Sequence, residues 1–278
     1  MSILAFSVAV SLIALTAGFL GALTGMGGGI LIVPVLTLLF GVDIHYAVGA
    51  SLISVIATSS GAAAAYVKEG FANIRLGLFF EIATTLGAVS GAALATKVSG
   101  NAIAIVFGIV LLNSAYLMIR KKQFNCVTNP VDPLAHRLRL DGSYPDNNSQ
   151  VVYHAQNVPA GFGIMYVAGA LSGLLGIGSG ALKVLAMDRA MQIPFKVSTT
   201  TSNFMIGVTA AASAGVYLHR GYIAPGLAMP VMLGVLSGSM LGARVLVNAK
   251  EHLLKWIFAV TVSVLALEMF FNGIMGRI

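Results

Sequence analysis

Charge is what this sequence has least of. Only 9% of its residues are Asp, Glu, Lys or Arg, against roughly 25% in an average soluble domain. A soluble fold of 278 residues has no way to cover its surface with so few. From Met1 to Val42 there is no Asp, Glu, Lys, Arg or His at all. As a single helix that stretch would run about 60 Å, twice the thickness of a bilayer's hydrocarbon, so it must cross, turn and start back. Cysteine is nearly absent too: Cys126 stands alone, which excludes an intrachain disulfide and any CxxC metal or redox motif. There is no HExxH, no pair of carboxylates on one helix face and no plausible Ser-His-Asp set, so neither an enzyme, a metal nor a cofactor is expected. The ten-residue alternating segments that a transmembrane β-barrel needs are missing. The N-terminus lacks the basic region of a signal peptide, and its apolar run continues too far for one.

What is present is grease: 58% of the residues are hydrophobic. Beyond the opening stretch, apolar segments follow near 46–67, 72–97, 101–119, 160–176, 181–193, 197–218, 223–249 and 253–274. The fold class expected is all-α, a polytopic helical membrane protein. The net charge of +7 reads as topology, Lys and Arg held in cytoplasmic loops, and not as a nucleic-acid surface.

Slid against itself by the distance from Gly25 to Gly176, the sequence aligns residues 18–92 with 169–243 without a gap. The matched pairs include Gly27/Gly178, Gly29/Gly180, Ser51/Ser202, Thr58/Thr209, Tyr66/Tyr217, Gly70/Gly221, Gly87/Gly238 and Gly91/Gly242. The expectation is two repeats, 1–119 and 160–278, of about five segments each, joined by a polar cytoplasmic connector over 120–159. "LAHRLRL" within the connector is expected to be a solvated loop in preference to a short surface helix. If all five segments cross, the halves are inverted; if the short second segment is re-entrant, they are parallel. The inverted arrangement puts twelve of the 16 Lys and Arg on the connector side and only Lys97, Arg220 and Arg277 opposite, the stronger bias by the positive-inside rule.

The glycine runs "GMGGG" (Gly25 to Gly29) and "GIGSG" (Gly176 to Gly180) interrupt membrane segments. Non-helical backbone at that depth survives only inside protein or beside a wet cavity. The short segment after each run would present free N–H groups and the positive end of a dipole, which attract anions. Two such breaks facing each other build a central binding site in many transporters. The candidate substrate-binding residues are therefore Gly27, Gly28, Gly29, Gly178, Ser179 and Gly180, with the hydroxyls and amide that open the next helices: Ser51 and Ser54, then Thr200, Thr201, Ser202 and Asn203. By contrast, Gly87/Gly91 and Gly238/Gly242, four apart, read as helix-packing pairs.

Lys183 lies three residues past Gly180. A lysine at that depth faces a cavity or a partner, or else snorkels to an interface. Its roles are counter-charge to an anion or ion pair with an acid such as Glu81. Glu81 is also the candidate for carrying a coupling proton, alongside a plain ion-pair role. His45 and His219, near segment ends, read as interfacial.

"GALTGMGGGILIVP", "AVGASLISVIATSSGAAAAYVKEGFANIRL", "GLLGIGSGALKV" and "VSTTTSNFMIGVTAAASAGVYLHRGYI" resemble the TauE/SafE family of bacterial membrane permeases over nearly the whole chain apart from the connector. The resemblance implies a multi-pass plasma-membrane transporter of sulfur-containing anions such as sulfite, sulfoacetate or related organosulfonates, commonly an exporter. Alternating access of the two halves is the mechanism expected, with an uncoupled anion channel or an uptake permease for another small oxyanion as alternatives. Partners expected are a small anionic substrate and the lipid bilayer, with a homodimer left open and no nucleic acid. Two departures stand out: Ile32 occupies the repeat position of Lys183, making the site electrostatically asymmetric, and the connector is longer than the family leads one to expect.

Overall fold

The structure, a computed structural model, describes residues 3–24, 28–68, 72–119, 132–146, 149–246 and 251–277. The first half holds α1 (Ile3–Thr24), α2 (Gly29–Phe40), α3 (Ile44–Lys68), α4 (Ile74–Ala95) and α5 (Gly100–Ile119). The connector holds a one-turn helix, α6 (Pro133–Arg137), and a hairpin of β1 (Gly142–Asp146) and β2 (Ser149–Tyr153). The second half holds α7 (Val158–Leu175), α8 (Gly180–Leu185) running on into a π-turn (Ala186–Ala190), α9 (Phe195–His219), α10 (Pro225–Leu246) and α11 (Glu251–Ile274). The protein is a helical membrane protein.

The starts of α8 to α11 follow those of α2 to α5 at the Gly25-to-Gly176 spacing, so the two halves break their helices at matching residues. Local chemistry explains several ends. Gly41 closes α2 in the left-handed conformation, φ 62, where a side chain would be strained. Asn73 caps α4 by accepting from the Leu76 N–H, and α10 opens on Pro225, whose missing N–H is lost nowhere else so harmlessly. The segments after the glycines are shorter than the 13 to 16 residues the apolar runs predict: α2 has 12 residues and α8 only 6 before its π-turn. At 1.5 Å per residue α2 reaches about 18 Å, little more than half of a bilayer.

Backbone-to-backbone packing locks the helices in pairs. A Cβ on Gly87 would strike the Tyr166 carbonyl, one on Gly91 the Ala170 carbonyl, and one on Gly169 or Gly173 the carbonyls of Thr84 or Ala88. Those contacts run parallel along α4 and α7. Gly18 and Gly238 do the same between α1 and α10, against Val235 and Leu15. The small-residue packing expected for Gly87, Gly91 and Gly238 is what these glycines provide. Between α5 and α11 the order reverses: Gly108 abuts Ala266, and Gly273 abuts Asn101 and Ile105.

The turns sort to two ends of the bundle. At one end, the His45 ring at the start of α3 lies 3.2 Å from the Ala95 carbonyl ending α4 and stacks on Tyr222, between α9 and α10, at 5.0 Å. At the other, Asn73 meets the connector through Leu140 and Tyr153, and Gln156 donates from its N–H to the Met191 carbonyl beyond the π-turn. Leu78, Ile82 and Leu86 on α4, Leu233 and Met240 on α10, and Val264, Leu267 and Phe271 on α11 are exposed, while Lys183, Glu81 and a row of hydroxyls are buried. That reversal of the soluble pattern is what lipid requires. α4 and α7 are each long and apolar enough to cross a membrane.

The connector is more than a loop. Asp132 caps α6 by accepting from the Leu134 N–H, with Pro133 at the first helical position, so "LAHRLRL" does begin a short helix, against expectation. Leu140, Tyr153 and Ala155 are buried in one cluster with Leu76 and Phe80 of α4, Met187 and Met191 around the π-turn, and Ile193 and Val197 leading into α9.

Candidate functional site

α7 stops because Gly176 turns left-handed (φ 69), its N–H bonded back to the Ser172 carbonyl. Gly178 (φ 71) and then Ser179 (φ 47) continue in the left-handed region before α8 begins. For glycine that conformation is free, whereas for a serine it costs on the order of 1–2 kcal/mol. Of the first break, Gly28 is described, helical at φ −68, whereas the candidate Gly27 lies outside the described residues.

The two breaks meet. The Ser51 hydroxyl, two turns into α3, reaches the Gly176 carbonyl at 2.8 Å and the Gly29 carbonyl at 3.1 Å, one from each half. Its repeat mate Ser202 donates to the Gly180 carbonyl at 3.2 Å. The Gly176 carbonyl, at the end of α7, is one that a broken helix leaves free, whereas Gly29 and Gly180 open their helices and the hydroxyls are added donors to them. A Cβ on Gly29 would collide with Val55 and Ser51 and press on the Gly176 carbonyl, so the close approach requires glycine there.

Beside this junction lies a charged network. Lys183 is fully buried, and its Nζ donates to the Thr209 hydroxyl of α9. Thr209 donates in turn to Glu81 Oε1 of α4 at 2.7 Å, and Thr85 donates to the same oxygen at 3.2 Å. Ammonium and carboxylate do not pair directly; a hydroxyl stands between them. Each is a group that a membrane interior tolerates only with partners. At the repeat-related positions stand Ile32, Thr58 and Met232, so the network exists on one side of the junction only. Lys183 also sits where α8 gives way to its π-turn, a distortion common at functional sites.

Some polar atoms of these elements have no partner. The hydroxyls of Ser172 and Ser179 and the Oε2 of Glu81 are buried and make no hydrogen bond, an arrangement that costs about 1–3 kcal/mol per group unless something fills it. Other predicted residues are spent on structure. Ser54 donates to the Ser51 carbonyl at 2.7 Å, and Thr200 to the Val197 carbonyl at 3.1 Å. Thr201 accepts from the Asn73 N–H at 3.0 Å, tying α9 to the connector end, and Asn203 is buried along the same helix. Thr209, Ser172 and Asn73 were not singled out from the sequence as site residues. Thr209 had a signal, its match to Thr58 in the repeat; for Asn73 there was none.

At the connector, Asn73 Nδ2 bridges the Leu140 carbonyl (3.0 Å) and the Tyr153 hydroxyl (2.8 Å). Burial, opposed by that hydrogen bond and aided by nearby Asp141, pushes the Tyr153 phenol up to about 12. Among the described residues no group of three or more His, Cys, Asp or Glu is arranged to hold a metal.

A family model described as "Sulfite exporter TauE/SafE" matches residues 10–269. The chain is 29% identical over 268 residues to the "Probable membrane transporter protein YunE" of Bacillus subtilis (strain 168), covering 94% of this chain and 96% of that one. A "Probable membrane transporter protein" of Xylella fastidiosa (strain 9a5c) is 26% identical over 259 residues, 92% of each chain. One of Methanocaldococcus jannaschii is 26% identical over 245 residues, 82% of each. No solved structure matches the chain.

Proposed function

Because the chain belongs to the sulfite exporter TauE/SafE family of membrane transporters, we propose that it is a secondary transporter that exports small sulfur-containing anions, sulfite or short organosulfonates, across a bacterial inner membrane by alternating access. The observation that carries this reading is Lys183: a wholly buried ammonium one turn past a helix break, held by a single neutral hydroxyl. An ammonium has three N–H groups, and the anion would take those that Thr209 leaves. Ser179 and Ser172, whose hydroxyls have no partner, complete the cradle.

The reading treats residues 1–119 and 160–278 as inverted repeats with residues 120–159 in the cytoplasm. It is supported by the parallel order of α4 with α7 and of α1 with α10, the reversed order of α5 with α11, and the gathering of Asp43, Ala95 and Tyr222 at one end and Asn73, Met191 and the connector at the other. α3 and α9 would then start at opposite faces, and Ser51 and Ser202, each two turns in, would meet near mid-bilayer. Glu81, reached by Lys183 only through Thr209, is the group proposed to take up a coupling proton once the anion has left, so that proton and anion occupy the site in alternation.

Replacing Lys183 by Met tests the site. Calorimetric affinity for sulfite is expected to fall at least tenfold, about 1.4 kcal/mol, with circular dichroism unchanged. Unchanged affinity removes Lys183 from the site. Flux in proteoliposomes with and without a proton gradient tests coupling: equal rates would leave a facilitator.

A further inference from the structure

Resting on the anion-transport reading, we propose that the site selects monoanions that also carry a hydrogen-bond donor, and rejects anions that are acceptors only. The ligand class is a hydrogen oxyanion, or a short sulfonate bearing a hydroxyl or an ammonium group.

The argument comes from which hydrogen-bonding positions are filled. Lys183 contributes donors alone and Glu81, as a carboxylate, acceptors alone. If the two were paired with each other, each would be satisfied and the site would offer a ligand little. Thr209 prevents that: its oxygen accepts from Nζ while its hydrogen goes to Glu81 Oε1. Lys183 thus keeps unspent N–H groups, and Oε1 is shared by Thr209 and Thr85 while Oε2 has nothing. The carboxylate is 6% exposed and the ammonium 0%, so water does not stand in freely for the missing partner.

An anion lodged against the ammonium lies beside a carboxylate with an empty acceptor oxygen. If the anion has no donor, Oε2 stays orphaned and two negative groups face each other in a medium of low dielectric, where like charges repel strongly. If it carries an O–H or N–H, its oxyanion end takes Lys183 and its donor end takes Oε2, and every orphan is satisfied at once. Sites that require a donor discriminate far more sharply than sites that merely fit a shape, because the wrong ligand leaves buried polar groups unpaired. A dianion would meet Glu81 with its second charge. Nothing hydrogen-bonded to the carboxylate relieves this: its partners among the described residues are the neutral hydroxyls of Thr209 and Thr85, and neither carries a positive charge to offset the second negative one.

The test compares three sulfonates of one skeleton on the purified full chain by calorimetry: ethanesulfonate, 2-hydroxyethanesulfonate and 2-aminoethanesulfonate. The expectation is at least tenfold tighter binding of the hydroxy and amino compounds than of ethanesulfonate. In Glu81→Gln the preference for the ammonium compound is expected to shrink to threefold or less. Thr209→Val, which lets Lys183 close on Glu81, is expected to weaken all three, with Thr209→Ser restoring them. Ethanesulfonate binding as tightly as the other two overturns the inference while leaving the transport reading intact. Binding of none of the three, with none of sulfite either, overturns the transport reading itself. The ligand series needs only the unmodified protein, so it decides even if a variant fails to fold.

Discussion

Ser179 holds a strained conformation that its repeat mate Gly28 does not, and it buries a hydroxyl with no partner. Strain kept at this proposed binding position points to use in the bound state. Ser179→Gly should therefore separate two quantities. The folded state is expected to gain up to about 1 kcal/mol, read as a higher thermal midpoint, while anion affinity falls several-fold; a variant that is merely stabler, with affinity intact, would take Ser179 out of the cradle. Tyr153 offers a second test at this scale. Its phenol is raised from 10.0 to about 12 by burial, so docking of the connector favours the protonated form. That contribution is complete below pH 10, the ordinary tyrosine value, and is lost as pH rises from there through about 12. The protection of β2 amides, taken relative to their intrinsic base-catalysed exchange rate, is expected to fall over that window and to stay constant below it, and Tyr153→Phe should abolish the alkaline step. The charged network illustrates why single residues were only half readable beforehand. Lys183 and Glu81 announced themselves as ions in apolar surroundings, but the hydroxyl between them sits on a third helix, and no spacing along the chain connects positions 81, 183 and 209.

Among the helices, α4 and α7 depend on glycine for contact rather than for flexibility. Gly91→Leu would drive a side chain into the Ala170 carbonyl and is expected to unfold the pair, since overpacking against backbone has no soft neighbour to yield. Gly163→Ala on α7 and Gly215→Ala on α9, where a Cβ meets nothing within 4 Å, should be neutral or stabilising by up to about 1 kcal/mol. Equal melting temperatures for Gly91→Leu and Gly163→Ala would refute the packing account. The helices themselves were legible to within a few residues, because apolar runs, glycines and Pro225 mark their ends. The connector was not. Its strands, Gly142–Asp146 and Ser149–Tyr153, are short and lack apolar alternation, and what pins them is a distant side chain, Asn73. The one-turn helix had a readable start in Asp132 and Pro133, overruled by the polar composition around it.

For the whole molecule, the repeat was visible because it holds without a gap from one helix start to the next, a regularity that loops of equal length in both halves preserve. Its orientation rests on charge counting and on which turns share an end. With Cys126 replaced by Ser, single cysteines at Asp43 and Arg220 are expected to react with an impermeant maleimide from outside intact cells, and those at Ser143 and Gln192 only after permeabilisation. Opposite behaviour of Asp43 and Arg220 would break the inverted arrangement. The halves are alike in backbone and unlike in what packs at their ends. A folded segment packs among α4, α9 and the π-turn at one end, while at the other the His45 ring stacks on Tyr222. In the alternating access proposed above, such a carrier idles facing whichever side is easier to open. Solute arriving from the other side meets fewer receptive molecules, so half-saturating concentrations differ between the two compartments although the round trip conserves free energy.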